Sequence, residues 1–413
     1  MLQAGYVFCT RCGHATSDAY YFNGELNIWV QLVRKFGGRF AVVKYTPPNL
    51  IGADEDLSDE ADFTLVEEGR GINVLQHNIN VECKIGTSVI SRRFKRCCPF
   101  CVGKRPEWSD VNEIIPGMGS LPTYVIGVIG ARTVGKSSWI HALSCAPNMN
   151  YVNSIRDNTR GVPTYILSAV TLADDRDYLP EATPVKSLGN TRIMKIVKRE
   201  QGEPSVEVAH ILVLDFAGEL FSVDNKDLFD DSIGHIFRGG VGFSGVDAVV
   251  FMTEPNEQDQ INPDTGRILY SLAETYNRVN SELNLLAGKP IAFVMNKVDK
   301  YFENPPKFKV TVRESSGEIP RLTRDTFGEN NGAMYRKDIL LSRVALENSL
   351  LKKIKPMVET LSNEAPCVGF LVKATAPFTD NGAEYVNFRD SINVMDPLLW
   401  ILNKLDIFPI EEY

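Results

Sequence analysis

Three short stretches of this sequence carry residue types that could bind and cleave a phosphate ester. Gly130-Ala131-Arg132-Thr133-Val134-Gly135-Lys136-Ser137 fits the pattern G-x-x-x-x-G-K-[ST]. Glycines at that spacing let the chain curl so that successive backbone N–H groups point at phosphate oxygens. A helix starting there adds the positive end of its dipole. Lys136 has the reach for β- and γ-phosphates, the Ser137 hydroxyl can ligate Mg²⁺, and Thr133, Val134 and Ser138 share the same cradle. Asp215-Phe216-Ala217-Gly218 is a D-x-x-G stretch, with a carboxylate that can hold Mg²⁺ through water and a glycine N–H that can meet a γ-phosphate. Asn296-Lys297-Val298-Asp299 is N-K-x-D. The Asp299 carboxylate can accept from guanine N1–H and the 2-amino group. Adenine offers neither donor, and leaving a buried carboxylate unpaired can discriminate by roughly 10⁴–10⁵-fold.

A second chemistry lies nearer the start. Cys9-Thr10-Arg11-Cys12 and Cys98-Pro99-Phe100-Cys101 are tight turns that each offer two thiolates, together the four soft ligands of a tetrahedral Zn²⁺ site. Such pairs usually stand 15–20 residues apart; here 85 residues lie between Cys12 and Cys98, so a zinc-ribbon-like unit needs a large insertion. Cys83, Cys97 and His14 are alternative ligands. Arg92, Arg93, Lys95, Arg96, Lys104 and Arg105 surround the second pair. They could face phosphate, but in a chain of net charge −8 the favoured reading is a solvated face.

The elements that must position these groups follow from pattern. Apolar runs at Tyr124–Ile129, Ile211–Leu214, Ala248–Met252, Ile291–Met295 and Val368–Val372 read as central strands of a mostly parallel sheet, with helices between them. Each motif follows such a run, at the strand end where α/β folds bind ligands. Ile268, Leu269, Leu272, Ala273, Tyr276 and Val279 have helical spacing, as does the stretch 341–361 around Pro356. Leu26, Trp29, Leu32, Val33 and Phe36 fit either a helix face or a strand pair, and Phe40–Tyr45 and Ile79–Cys83 have strand character. Asp54–Glu60 reads as an exposed acidic loop, and Met395–Leu402 as a capped apolar helix packed on the sheet. The expected division is a zinc-ribbon-like domain over 1–104, a Pro/Gly-rich linker over 105–120, and an α/β three-layer domain over 121–413 with surface insertions near 165–205 and 301–340.

Composition bounds the class. The 413 residues are 44% hydrophobic and 23% charged, as in ordinary globular domains. No apolar run approaches the roughly 18 residues of a membrane span, and the N-terminus lacks the pattern of a signal peptide. Eight cysteines without an export signal point to metal or reduced thiols, hence to the cytoplasm.

Taken in order, the three phosphate and base motifs resemble the P-loop GTPases of the translation-factor-related class (TRAFAC), with a Ras-like or dynamin-like G domain. The resemblance covers about residues 121–378. It implies GTP/GDP binding with Mg²⁺ held by Ser137, Asp215 and a switch threonine. Thr159, in Asp157-Asn158-Thr159-Arg160-Gly161-Val162, is the first choice and Thr164 the second. Thr375-Ala376 is similar to the family's base-stacking Ser-Ala, with Lys373-Ala374 as the other register. The resemblance also places Lys136, Gly218, Glu219 and Arg132 at the reacting phosphate. Two departures bear on rate: Glu219 stands where Ras-like members carry a water-orienting glutamine, and Arg132 is offset by a position from the P-loop arginine of some large GTPases. The zinc-bearing N-terminus is loosely similar to double-GTPase proteins of bacterial conflict systems, which implies a protein partner or second GTPase ahead of a nucleic acid. The expectation is a GTP-hydrolysing switch; the alternative is a non-hydrolysing GTP-binding scaffold whose zinc domain holds a partner.

Overall fold

The computed structural model describes residues 1–9, 11–35, 40–49, 61–65, 76–85, 87–103, 111–115, 117–145, 149–152, 164–169, 191–199, 203–221, 235–239, 244–254, 259–261, 268–271, 275–276, 279, 286, 288–297, 313–314, 317–318, 334–336, 366–372, 374, 376–380, 383–387 and 394–407. Two compact units result. One comprises Met1–Thr123 with Gly239–Gly245, the other Tyr124–Arg238 with Val246–Tyr413.

The first unit is built from antiparallel strands: β1 (Val7–Phe8), β2 (Ala15–Thr16), β3 (Ala19–Asn23), β4 (Ile28–Arg34), β5 (Phe40–Lys44), β6 (Ala61–Leu65), β7 (Asn78–Ile85), β8 (Ser88–Cys98) and β9 (Asn112–Glu113). The first two form a hairpin, and the rest make one sheet in the order β5-β4-β3-β8-β7-β6, with β9 added along β8. Its outer strands β5 and β6 come back beside each other, so the sheet curls around its contents. Period-two alternation decides those contents. Ala19, Tyr21, Val30, Leu32, Val42, Ile79, Val81, Cys83 and Phe94 fill the concave side. Tyr20, Trp29 and Cys97 point the other way and pack with Phe22, Tyr45, Phe100, Val102 and Val111. This outer cluster seats the second cysteine pair on the sheet, with Phe100 edge-on to Tyr20 at 5.6 Å between ring centroids. The ambiguous stretch around Trp29 is therefore a strand.

Pro/Gly content makes residues 105–120 read as a linker, yet their described part belongs to the first unit. Ile114 N–H donates to Arg96 O at 2.9 Å, Gly5 N–H to Gly119 O at 2.8 Å, and the buried Met118 sulfur accepts from Phe8 N–H at 3.0 Å.

The second unit contains β10 (Thr123–Gly130), β11 (Met149–Val152), β12 (Thr164–Ala169), β13 (Arg192–Arg199), β14 (Val206–Asp215), β15 (Ala248–Thr253), β16 (Asp259–Ile261), β17 (Ile268–Ser271), β18 (Ile291–Met295), β19 (Arg313–Glu314), β20 (Gly317–Glu318), β21 (Met334–Arg336), β22 (Cys367–Leu371), β23 (Ala376–Asp380) and β24 (Ala383–Asn387). Among the described residues its helices are α1 (Lys136–Cys145), the single turn α2 (His235–Arg238) and α3 (Asp396–Lys404). Nine strands among the described residues form the main sheet, ordered β21-β11-β12-β13-β14-β10-β15-β18-β22.

β10, β15, β18 and β22 run parallel, and β15 is buried at every residue because both of its faces are covered. The expectation of a mostly parallel sheet needs correction on the other side, where β11, β12, β13 and β14 pair antiparallel. Only six residues separate β13 from β14, which suits a hairpin and is too short for a parallel crossover. Residues 165–169 and 192–199, from the stretch expected to be a surface insertion, thus lie in the main sheet.

Helix α1 packs against β12–β14, and α3 against β18 with Trp400 on Phe370. The Trp139 indole N–H donates to Val394 O at 2.9 Å, so α1 also holds the entry to α3. The helical spacing that begins at Ile268 fails there: Ile268–Ser271 pairs with β16 instead. The intervening Asn262-Pro263-Asp264-Thr265-Gly266 is rich in chain-reversing residues, and Ile268 and Tyr270 favour a strand. Tyr276 and Val279 of the same pattern are buried. The acidic loop 54–60 and the helical stretch 341–361 lie outside the described residues.

Candidate functional site

At the end of β10 the chain enters the loop Gly130–Gly135 and leaves it as α1. Thr133 and Gly135 have positive φ values of 70° and 90°, the curl that turns consecutive N–H groups inward. The buried Lys136 ammonium donates to Gly130 O at 2.9 Å and Ala131 O at 2.7 Å, which stretches it back across the loop. One residue on, the Ser137 hydroxyl donates to Asp215 Oδ2 at 2.6 Å. Two residues 78 apart in sequence are thereby side by side, both oxygen donors suited to a hard divalent cation.

Glycines set how closely the neighbouring loops approach. A Cβ on Gly130 would meet Met252 O at 2.4 Å, so no side chain fits where β10 passes β15. On Gly218 a Cβ would meet Arg132 N at 2.5 Å, which puts the D-x-x-G backbone directly on the P-loop backbone. Gly218–Phe221 then closes as a 3₁₀ turn. Phe216, fully buried, anchors this segment by stacking on Phe237 at 5.3 Å. Arg132 is exposed at the tip of the loop.

Asn296 joins the N-K-x-D loop to both neighbours. Its side-chain amide donates to Val134 O at 3.0 Å and accepts from the buried Ala374 N–H at 3.1 Å. Lys297, in the left-handed region at φ 58°, donates to Thr133 O at 2.5 Å and pairs with Glu254. Sequence reasoning did not single out Glu254, and only its position just after β15 could have drawn attention to it. Lys136, Ser137, Asp215, Gly218, Asn296 and Lys297 therefore converge on one loop. Val298 and Asp299, Thr159, Lys373 and Thr375, and the side chains of Glu219, Thr164 and Ala376, lie outside the described residues.

In the first unit, the first cysteine pair sits in the turn of the β1–β2 hairpin, and the second begins at Cys98, the last residue of β8. Gly13 N–H donates to Cys9 O at 2.8 Å, and Gly13 and Gly103 close the two turns at φ 70° and 68°. All four sulfurs of Cys9, Cys12, Cys98 and Cys101 are buried within 4.8 Å of one another. Cys9 Sγ lies 3.9 Å from Cys101 Sγ, and Cys12 Sγ 3.7 Å from Cys98 Sγ. A regular tetrahedron with Zn–S bonds of about 2.3 Å has edges of about 3.8 Å, so the residues fit a zinc ion.

Charge points the same way. Burial raises the Cys9 thiol, but hydrogen bonds from Cys101, Cys12 and Cys98 outweigh it and hold Cys9 well below the usual thiol range. Cys12 and Cys98 are pushed up, each chiefly through its hydrogen bond with Cys101 and further by Cys9 and by burial. Four sulfurs this close can share one negative charge; ionising all of them requires a cation. The alternative ligands are elsewhere: Cys83 lines the concave core, Cys97 packs in the outer aromatic cluster with its thiol pushed up to about 12 by burial, and His14 packs against Phe100 with its ring tilted, centroids 3.9 Å apart.

Three members of the basic cluster near the second pair are engaged. Arg92 pairs with Glu25 at 3.2 Å and Lys95 with Glu113 at 3.0 Å. Arg96 is buried, on the same side of β8 as Phe94, and reaches Asp18 O at 3.4 Å. Lys104 and Arg105 lie outside the described residues. No helix among those described is long and apolar enough to cross a membrane.

No protein-family model matches the chain, and no curated protein matches it. Solved structures similar to it include the signal recognition particle receptor SRb-GTP/SRX complex from Chaetomium thermophilum, at 13% identity over 63% of this chain and 93% of that one, with a TM-score of 0.25. Another is Era from Aquifex aeolicus bound to GDP and AlF₄⁻, at 14% identity over 69% and 57% of the respective chains, TM-score 0.28. A third is the G domain of the FeoB iron transporter from T. maritima, at 14% over 43% and 74%, TM-score 0.19. Similarity at this level leaves the chemistry to be read from the residues themselves.

Removing the Asn296 side chain strands the buried Ala374 N–H and unties Val134. Asn296→Ala should therefore cost about 1–3 kcal/mol in chemical denaturation of the nucleotide-free protein.

Proposed function

We propose that this protein is a guanine-nucleotide switch that binds GTP with Mg²⁺ and hydrolyses it to GDP, and that its N-terminal unit is built on one Zn²⁺ ion. The observation that carries the nucleotide reading is the convergence on one P-loop of Ser137 with Asp215, Gly218 and Asn296, contributed by three separate motifs. Lys136 exchanges its two loop carbonyls for the β- and γ-phosphates. Ser137 and Asp215 would hold Mg²⁺, which neutralises charge across the phosphates. The backbone N–H groups from Arg132 to Ser138 bind the phosphates, Gly218 meets the γ-phosphate, Asn296 and Lys297 frame the base pocket, and Asp299 reads guanine with Thr375-Ala376 beside it. Thr159 is the switch threonine in this reading and Thr164 its substitute. Loop release after hydrolysis passes the signal to a protein partner in the cytoplasm.

A second reading rests on Glu219. A carboxylate next to the γ-phosphate repels it and positions water poorly, which favours a GTP-binding scaffold that does not turn over. Arg132, exposed on the P-loop, offers a compensating positive charge. Single-turnover hydrolysis decides between them: phosphate release, intrinsic or stimulated by a partner, supports the enzyme, and its absence under both conditions supports the scaffold.

Base reading is tested by Asp299→Asn, which should move preference from GTP toward xanthosine triphosphate in calorimetric titration; unchanged GTP selectivity would remove guanine recognition from this residue. For the metal, elemental analysis should return one zinc per chain. Chelation should unfold the first unit, since structural zinc contributes on the order of 10–16 kcal/mol in isolated peptides.

A further inference from the structure

We infer that Asn112 is a positioning residue of the four-sulfur site, donating its side-chain amide to one ligand while its backbone braces another; this rests on the zinc reading above. Asn112 Nδ2 lies 3.1 Å from Cys9 Sγ. Its backbone stands directly opposite Cys98 in the β8–β9 pair. One residue thus touches a ligand from each cysteine pair, although neither pair is its neighbour in sequence.

The chemistry favours this contact. Four thiolates around a dication leave two negative charges in a buried place, and N–H donors to sulfur disperse that charge and fix the ligand's orientation. A thiolate only accepts, so the nitrogen of the amide must face it and the oxygen must turn away. The amide is also delivered on a held backbone. Ile114 is buried and donates to Arg96 O at 2.9 Å. Glu113 is gripped from two sides, by His77 at 2.6 Å and Lys95 at 3.0 Å. Beyond β9, Met118 and Gly119 bond back to Phe8 and Gly5, the residues that lead into Cys9. The metal site and residues 111–115 and 117–119 consequently order one another.

Zinc affinity measured by competition with a chromophoric chelator tests the assignment. Asn112→Ala removes the donor, and Asn112→Asp keeps the shape while replacing the donor with a negative charge. Both should weaken zinc binding by about 10–100-fold, the usual cost of losing an outer partner of a ligand. Glu25→Gln, which breaks an exposed pair with Arg92 in the same unit, should leave affinity within about two-fold. The unsubstituted chain gives an independent readout: with ¹¹³Cd in the site, the Asn112 side-chain N–H should show scalar coupling to the metal, and the amides of residues 111–115 and 117–119 should exchange faster once metal is removed. Parent-like affinity in both Asn112 variants, or no coupling in the cadmium form, overturns the role of Asn112 and leaves the metal reading standing. A parent chain that holds no zinc overturns both.

Discussion

Close approach of neighbouring groups to the P-loop backbone at the carboxyl end of the parallel strands is the constraint on which the second unit depends. The P-loop has Met252 O on one side, the D-x-x-G turn on another and Asn296 on a third. Each approach is too tight for a Cβ, so each is met by glycine. A loop packed this way has little freedom left, and its carbonyls and N–H groups are fixed before any ligand arrives. That rigidity allows a buried lysine to be held by two carbonyl oxygens and a serine to sit on an aspartate from another strand. Catalytic and binding groups placed on preorganised backbone lose little entropy when they engage.

The first unit solves a different problem. Its sheet curls around a small concave core, and small cores seldom suffice alone. Here an outer aromatic layer of Tyr20, Trp29 and Phe100 and a buried sulfur tetrahedron extend the ordered region beyond the sheet. The described part of the stretch that reads as a tether between cysteine pair and P-loop strand is bonded along the N-terminal residues through Met118 and Gly119. Alternation along β8 also explains its basic run. Lys95 reaches outward to Glu113, while Arg96 turns inward on the side of Phe94, so the row of positive residues along β8 is divided between its two faces.

Much of this was legible beforehand. The five apolar runs are the five strands β10, β14, β15, β18 and β22, because a strand buried on both faces needs continuous apolar residues whatever its neighbours. The cysteine pairs were legible as pairs because a tight turn is local. The antiparallel side of the sheet was not: Ile193–Val197 has strand character in sequence, but only its pairing with β12 and β14 puts it in the main sheet rather than in a surface insertion. Ile268–Ser271 satisfied two periodicities at once, and its partner β16 decided between them.

By itself the sequence determined which groups could bind phosphate, magnesium, guanine and zinc, because each depends on residue type at short spacing. Tertiary structure alone decided which of them meet. It set Ser137 against Asp215, chose Cys9, Cys12, Cys98 and Cys101 over Cys83, Cys97 and His14, and brought Asn112 to a sulfur. The physical reason is range: a turn or an alternation is fixed by neighbours a few residues away. Contacts across some eighty to a hundred residues depend on how whole strands pair and curl, which no local pattern encodes.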